Sequence, residues 1–240
     1  MLIQLAALAL ATTHAAAADT ITVGHALLRG KTVATGVDTT DVFVERDGKL
    51  QLINTSIEEV STTPSGILVV FIGKGRQGVS LDSVTINRST FAPIRHVEAF
   101  PGKNATYAFA RARITGSSKD SSGAHKTDSP IREGLFDFSV VQQVTRMLPL
   151  KTGYEAVILS YDVAQMKERA VTFSVGAEER ITLGGKEYAT FKTVMDLGTH
   201  KVTRWVDAKT HADLKWDLAV ANMHMVGFSG VARAAANPSR

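Results

Sequence analysis

The sequence predicts a mainly β protein, a long antiparallel meander curved into a half-barrel or open barrel with one amphipathic helix packed on it. Three observations predict it. Apolar and polar residues alternate with period two through most of the chain after Asp19. Turn signals such as Asp47-Gly48, Pro64-Ser65-Gly66, Pro101-Gly102, Gly184-Gly185 and Asp207-Ala208-Lys209-Thr210 recur at short intervals. Helical spacing is convincing only over Asp137 to Leu148.

Composition frames this reading. The chain has 240 residues, 44% hydrophobic and 21% charged, which suits one globular domain, expected over 19–229. The net charge of +4 arises from 27 basic and 23 acidic residues, with the excess between Lys74 and Arg132. No compact basic cluster or stacking motif accompanies it, so it reads as a solvated cationic face and not as a nucleic-acid site. The absence of cysteine excludes disulfides and thiol chemistry. The apolar run Leu2 to Ala11, followed by small residues, reads as a cleaved signal peptide over 1–18. A periplasmic or secreted protein with no integral membrane span after cleavage is therefore expected. Residues 230–240 read as a flexible tail.

The elements follow in order. Asp41 to Arg46 and Lys49 to Ile53 flank Asp-Gly, the signature of a tight hairpin turn with two positive φ angles. Ile67 to Ile72 is six apolar residues, the pattern of a strand covered on both faces. Val79 to Asn87, Ile94 to Phe100 and Ala105 to Thr115 read as further strands. In the last, Tyr107, Phe109, Arg111 and Arg113 would share one face. Gly116 to Ser129 is polar and glycine-rich, an exposed hairpin loop. Asp137 to Leu148 is the helix, with Asp137 or Ser139 as cap and Pro149 as stop. Glu155 to Tyr161, Arg169 to Val175 and the meander 181–220 complete the sheet. In that meander Ala189, Phe191, Met195 and Leu197 should face the core, as should Leu214, Trp216, Leu218 and Val220. For Lys201 to Val206 the inward face is ambiguous, since Val202, Arg204 and Val206 oppose Lys201, Thr203 and Trp205.

Motifs of catalysis and metal binding are not found. Gly73, Gly75 and Gly78 fit G-x-G-x-x-G, but an alternating β pattern follows instead of a helix, so they read as a hairpin. Six histidines remain beyond the leader, and their spacing gives no ligand set, so each reads as a surface or turn residue. Met223-His224-Met225 places both methionines on one strand face, which reads as core. Asp213 and Asp217 share a face with Lys215 and read as solvated. No catalytic residue, metal or cofactor is assigned.

The segment Leu148 to Tyr154 after the helix, Gly184 to Tyr188, Trp205 to Thr210 and Ile86 to Arg95 together resemble a group of exported bacterial proteins catalogued as a domain of unknown function, group 3108 or its relatives. The resemblance spans about Ser80 to Trp216. It implies a meander curved into a half-barrel around a helix, similar in general form to periplasmic lipoprotein carriers, and it carries over no catalytic residue.

A half-barrel has an interior that its own side chains need not fill. The expected function is a non-enzymatic binding or scaffold module of the bacterial envelope that holds a lipid-like or other apolar ligand on its concave face. The candidate ligand residues are Tyr107, Phe109, Arg111, Phe136, Phe191, Trp205 and Trp216. One rival is a structural domain pairing with an envelope protein or anionic polymer. Another is a hydrolase in which His200, Asp207 and His211 meet in space.

Overall fold

The computed structural model describes residues 18–220 and 223–233. The proposed signal peptide, 1–18, lies outside them except for its last residue.

One 16-stranded sheet organises the chain. Its strands are β1 (Asp19–Ile21), β2 (Gly36–Arg46), β3 (Lys49–Thr63), β4 (Gly66–Gly75), β5 (Gly78–Ile86), β6 (Pro93–Phe100), β7 (Lys103–Ala110), β8 (Arg113–Asp120), β9 (Gly123–Pro130), β10 (Phe136–Asp137), β11 (Glu155–Asp162), β12 (Lys167–Leu183), β13 (Lys186–Asp196), β14 (Lys201–Asp207), β15 (Asp213–Val220) and β16 (Met223–Ser229). The strand order is β1-β11-β12-β13-β14-β15-β16-β2-β3-β4-β5-β6-β7-β8-β9, with β10 beside β11. Two long meanders are thus joined where β16 pairs with β2. Among the described strands only β1 and β10 run parallel to their neighbour, β11 in both cases.

Short turns fix the registers. Asp47 and Gly48 both take positive φ, 50° and 70°, so the β2–β3 connection has the predicted tight form. The predicted glycine-rich hairpin joins β4 to β5.

The single α-helix among the described residues, α1 (Val141–Met147), follows a 3₁₀ turn over Phe138–Val140. Asp137 opens this segment by accepting from the Ser139 amide at 2.9 Å. Leu148 leaves the helical region at ψ 162°, and Pro149 prevents continuation. Val140, Val141, Val144, Met147 and Leu148 are buried in one cluster with residues of β3, β4, β5, β11, β12 and β13. Strands far apart in the sheet order pack on the same helix, so the sheet curls around it. A second cluster unites Tyr107 and Ile114 of β7 and β8 with Tyr161 and Val163 at the end of β11. The two ends of the meander therefore approach each other in an open, barrel-like sheet.

Several expectations change. Ala105 to Thr115 is not one strand, because the chain reverses at Arg111-Ala112 and Arg113 opens β8. Arg111 therefore does not share a strand face with Tyr107. The stretch expected as an exposed loop, 116–129, is the hairpin β8–β9. Its polar composition is compatible with pairing because both faces of this edge hairpin are largely solvated, which removes any need for apolar alternation. The apolar run in β4 is covered more fully on one face than on the other: Ile67 and Val69 are buried, while Leu68 and Val70 are partly buried. From the expected tail, Gly230–Ala232 forms a 3₁₀ turn, Ala232 is fully buried, and Arg233 reaches Asp41 at 3.1 Å.

Candidate functional site: an interior cleft

The helix is two turns long and covers only part of the curved face. Beside it lies a chamber of about 380 Å³, at the lower end of the roughly 300–1,000 Å³ that ligand pockets occupy. Phe71, Phe138, Met195, Val202, Trp216 and Leu218 form its apolar wall. A wider cleft of about 1090 Å³ continues past the helix, bordered by Val37, Val60, Met147, Tyr188, Leu214 and Val231. Both spaces are lined by Asp38, Glu58 and Asp213, which therefore sit where they adjoin. Val37 and Val231, 69% and 67% exposed, place apolar surface at the wider cleft.

Small residues keep the chamber open. Thr40 of β2 and Ser229 of β16 share a hydroxyl hydrogen bond of 2.6 Å on its wall. Opposite Trp216 in the register stands Gly227. A Cβ there would meet the indole Cε2 at 2.1 Å, so the missing side chain lets the ring lie against the neighbouring strand.

A bulge supplies the polar end. Trp205 pairs with Lys215, but Val206 pairs with Asp213, so one extra residue enters β15. The slip turns Asp213 inward, where it is 8% exposed, against the expectation of a solvated carboxylate. Arg146 of α1 joins Asp213 through Nη2 at 2.8 Å and Nε at 3.1 Å, and its Nη1 donates to Glu58. Gln142 Nε2 donates to Asp213 at 3.3 Å. Arg204 of β14 approaches Asp213 only to 3.6 Å. Burial works against the Asp213 charge, yet Arg204 and Arg146 outweigh it and hold the carboxyl below its ordinary range. For Asp38 burial prevails and raises the pKa, despite the attraction of Arg146 and a hydrogen bond from the Thr39 amide.

A second charged cluster lies deeper. His96 of β6 is 1% exposed, its Nδ1 2.7 Å from Asp137 and its Nε2 3.1 Å from Asp82. Lys103 Nζ holds the neighbouring Glu98 at 2.7 Å. Burial disfavours the imidazolium, but the hydrogen bonds and charges of Asp137 and Asp82 overcome it and push the pKa up to about 10. Ser139 Oγ donates to Asp82 at 2.8 Å and also lines the smaller chamber. His96 is thus not the surface or turn residue expected from sequence; one inward position on a strand suffices to bury it.

The sequence-chosen residues divide. Trp216 lines the chamber. Phe136 is fully buried in the main core, and Phe191 packs against that core. Tyr107 is buried in the second cluster with Phe109 against it. Arg111 lies in an exposed turn, ion-paired with Glu133. Trp205 takes the opposite sheet face from Arg204, donates to Glu179, and has Lys215 Nζ 4.3 Å from its ring centre. These residues form no single site.

His200 and His211 flank opposite ends of β14, and the Asp207 carboxylate accepts from the Lys209 and Thr210 amides of its own turn. The triad is not assembled. Met223 is 40% exposed and not core, while His224 pairs with Glu45 at 2.6 Å. Among the described residues no group of three or more His, Cys, Asp or Glu side chains could hold a metal ion. Among the described residues no helix is long and apolar enough to cross a membrane.

Sequence reasoning missed Arg146, Arg204, Asp213, Glu58 and Asp38. The one available signal was the ambiguous face of β14. Val202 and Arg204 prove to be inward, with a buried arginine standing where an apolar residue would have made the alternation plain.

Comparison with the curated proteins finds no match. Among solved structures, the chain is similar to "Crystal Structure of Beta-barrel-like Protein of Domain of Unknown Function DUF1849 from Brucella abortus", at TM-score 0.52 and 9% identity, covering 83% of this chain and 98% of that one. That likeness is one of fold. A family model described as "Protein of unknown function (DUF3108)" matches residues 47–222, and the chain belongs to that family.

Proposed function

We propose, with membership of the DUF3108 family as premise, that the protein is a non-enzymatic binding module of the bacterial envelope that holds an apolar or lipid-like chain between α1 and the concave sheet face. The observation that carries this reading is the unfilled chamber of about 380 Å³ with its apolar wall. Phe136, Val144 and Met147 complete the core around the helix, while Met195 and Trp216 border free space. Filling that space with a ligand chain removes apolar surface from water at roughly 25 cal/mol per Å².

Displacement of a neutral naphthylamine dye by alkyl chains tests the proposal. The wild-type chain should bind the dye, and Val202→Phe, which fills the chamber, should weaken binding by about tenfold or more. Unchanged binding in a folded Val202→Phe protein contradicts it.

A further inference from the structure

The polar lining of the cleft says what kind of head the chain should carry. Arg204 is buried, its side chain 8% exposed, and lines the smaller chamber. Its Nε–H has no acceptor among the described residues. Its one ion pair among the described residues is the long contact with Asp213, whose carboxylate is already engaged by Arg146 and Gln142. A buried guanidinium with unmet donors is costly unless something supplies an acceptor.

The opposite imbalance exists at Asp38. It lines the same chamber, and among the described residues its one hydrogen bond is from the Thr39 amide. No cation is paired with it among the described residues. The hydroxyls of Thr40 and Ser229 lie on the same wall. Formal charge around the head position is two guanidinium groups, Arg146 and Arg204, against three carboxylates, Asp38, Glu58 and Asp213. A second anion would add to that excess. A cation would suit Asp38 but would leave the Arg204 donors unmet.

Resting on the cleft reading above, we propose that the ligand is an uncharged acyl ester of a polyol, whose ester carbonyl accepts from Arg204 and whose hydroxyls donate to Asp38. Such a molecule supplies an acceptor and donors together and adds no charge. The apolar wall of the chamber receives its acyl chain.

Four probes of equal chain length separate the possibilities below their micellar concentrations: monolaurin, dodecanol, laurate and dodecylamine, competing with the neutral dye on the full chain. Monolaurin should bind the wild type most tightly, about tenfold better than dodecanol, the gain of one or two good hydrogen bonds to a charged group. Arg204→Met should abolish that preference. Asp38→Asn should narrow the gap between monolaurin and laurate while keeping the preference for monolaurin over dodecanol. Laurate or dodecylamine binding the wild type more tightly than monolaurin overturns the headgroup assignment even if Arg204→Met does not fold. Equal binding of all four also overturns it and leaves the cleft reading standing, whereas binding by none removes both.

Discussion

Two charged clusters lie inside this sheet, and they differ in what they border. Around His96 each ring nitrogen faces a carboxylate, and Lys103 holds Glu98. Around Asp213 the helix residue Arg146 holds both Asp213 and Glu58, while among the described residues Arg204 Nε has no hydrogen-bond acceptor and Asp38 is in no ion pair. The first cluster ties β5 and β6 to the start of the helical segment. The second borders free volume. A cluster whose charges face one another away from free volume fastens the fold; one that lines a cavity is placed to meet a ligand.

Removing the fastening should have the largest effect. His96→Leu leaves the buried Asp137 and Glu98 and the half-buried Asp82 with one fewer cation. It should cost about 3–5 kcal/mol in denaturant unfolding while dye binding persists at temperatures where the variant remains folded. A loss below about 1 kcal/mol would place His96 outside the fastening role.

The same group sets a pH dependence. Its folded pKa, about 10, exceeds the ordinary histidine value of 6.5, so the folded state holds the proton more tightly. Its contribution is complete below pH 6.5 and is lost as pH rises through 10. Stability measured by urea unfolding should fall across that window by an amount of the same order as His96→Leu, and the fall should flatten in His96→Leu.

Arg146→Met attacks the second cluster. Asp213 retains Arg204, while Glu58 loses the guanidinium it accepts from. The expected cost is about 2 kcal/mol by thermal unfolding, with altered dye affinity, in contrast to His96→Leu. The smallest effect belongs to Arg111→Ala. Its ion pair with Glu133 is exposed on both sides, so stability and binding should both stay within about 0.5 kcal/mol of wild type.

The sequence carried the strands because alternation and turn chemistry are local. The Asp-Gly turn, the helix and the inward placement of Phe191, Met195 and Leu197 are as expected, whereas Ala189, also expected inward, is exposed because the core does not reach that end of β13. The site was far less legible. Asp213 faces inward only because of a bulge against β14, and a one-residue slip leaves no mark in a single sequence. Arg146 meets Glu58 across 88 residues of chain, which no spacing rule anticipates. The hairpin β8–β9 was hidden for the opposite reason, since a strand pair wetted on both faces has the composition of a loop.

The chain has two tryptophans, and they report opposite faces of the same sheet: Trp216 lines the chamber and Trp205 lies under Lys215 on the other side. Trp205→Phe leaves Trp216 as the only indole, and Trp216→Phe leaves Trp205. Titrating each variant with a neutral amphiphile brominated along its alkyl chain, a contact quencher of indole fluorescence, tests the location of the ligand directly. Saturable quenching of Trp216 with Trp205 unaffected is the expected result. Quenching of Trp205 equal to or greater than that of Trp216 would contradict the interior cleft as the binding site.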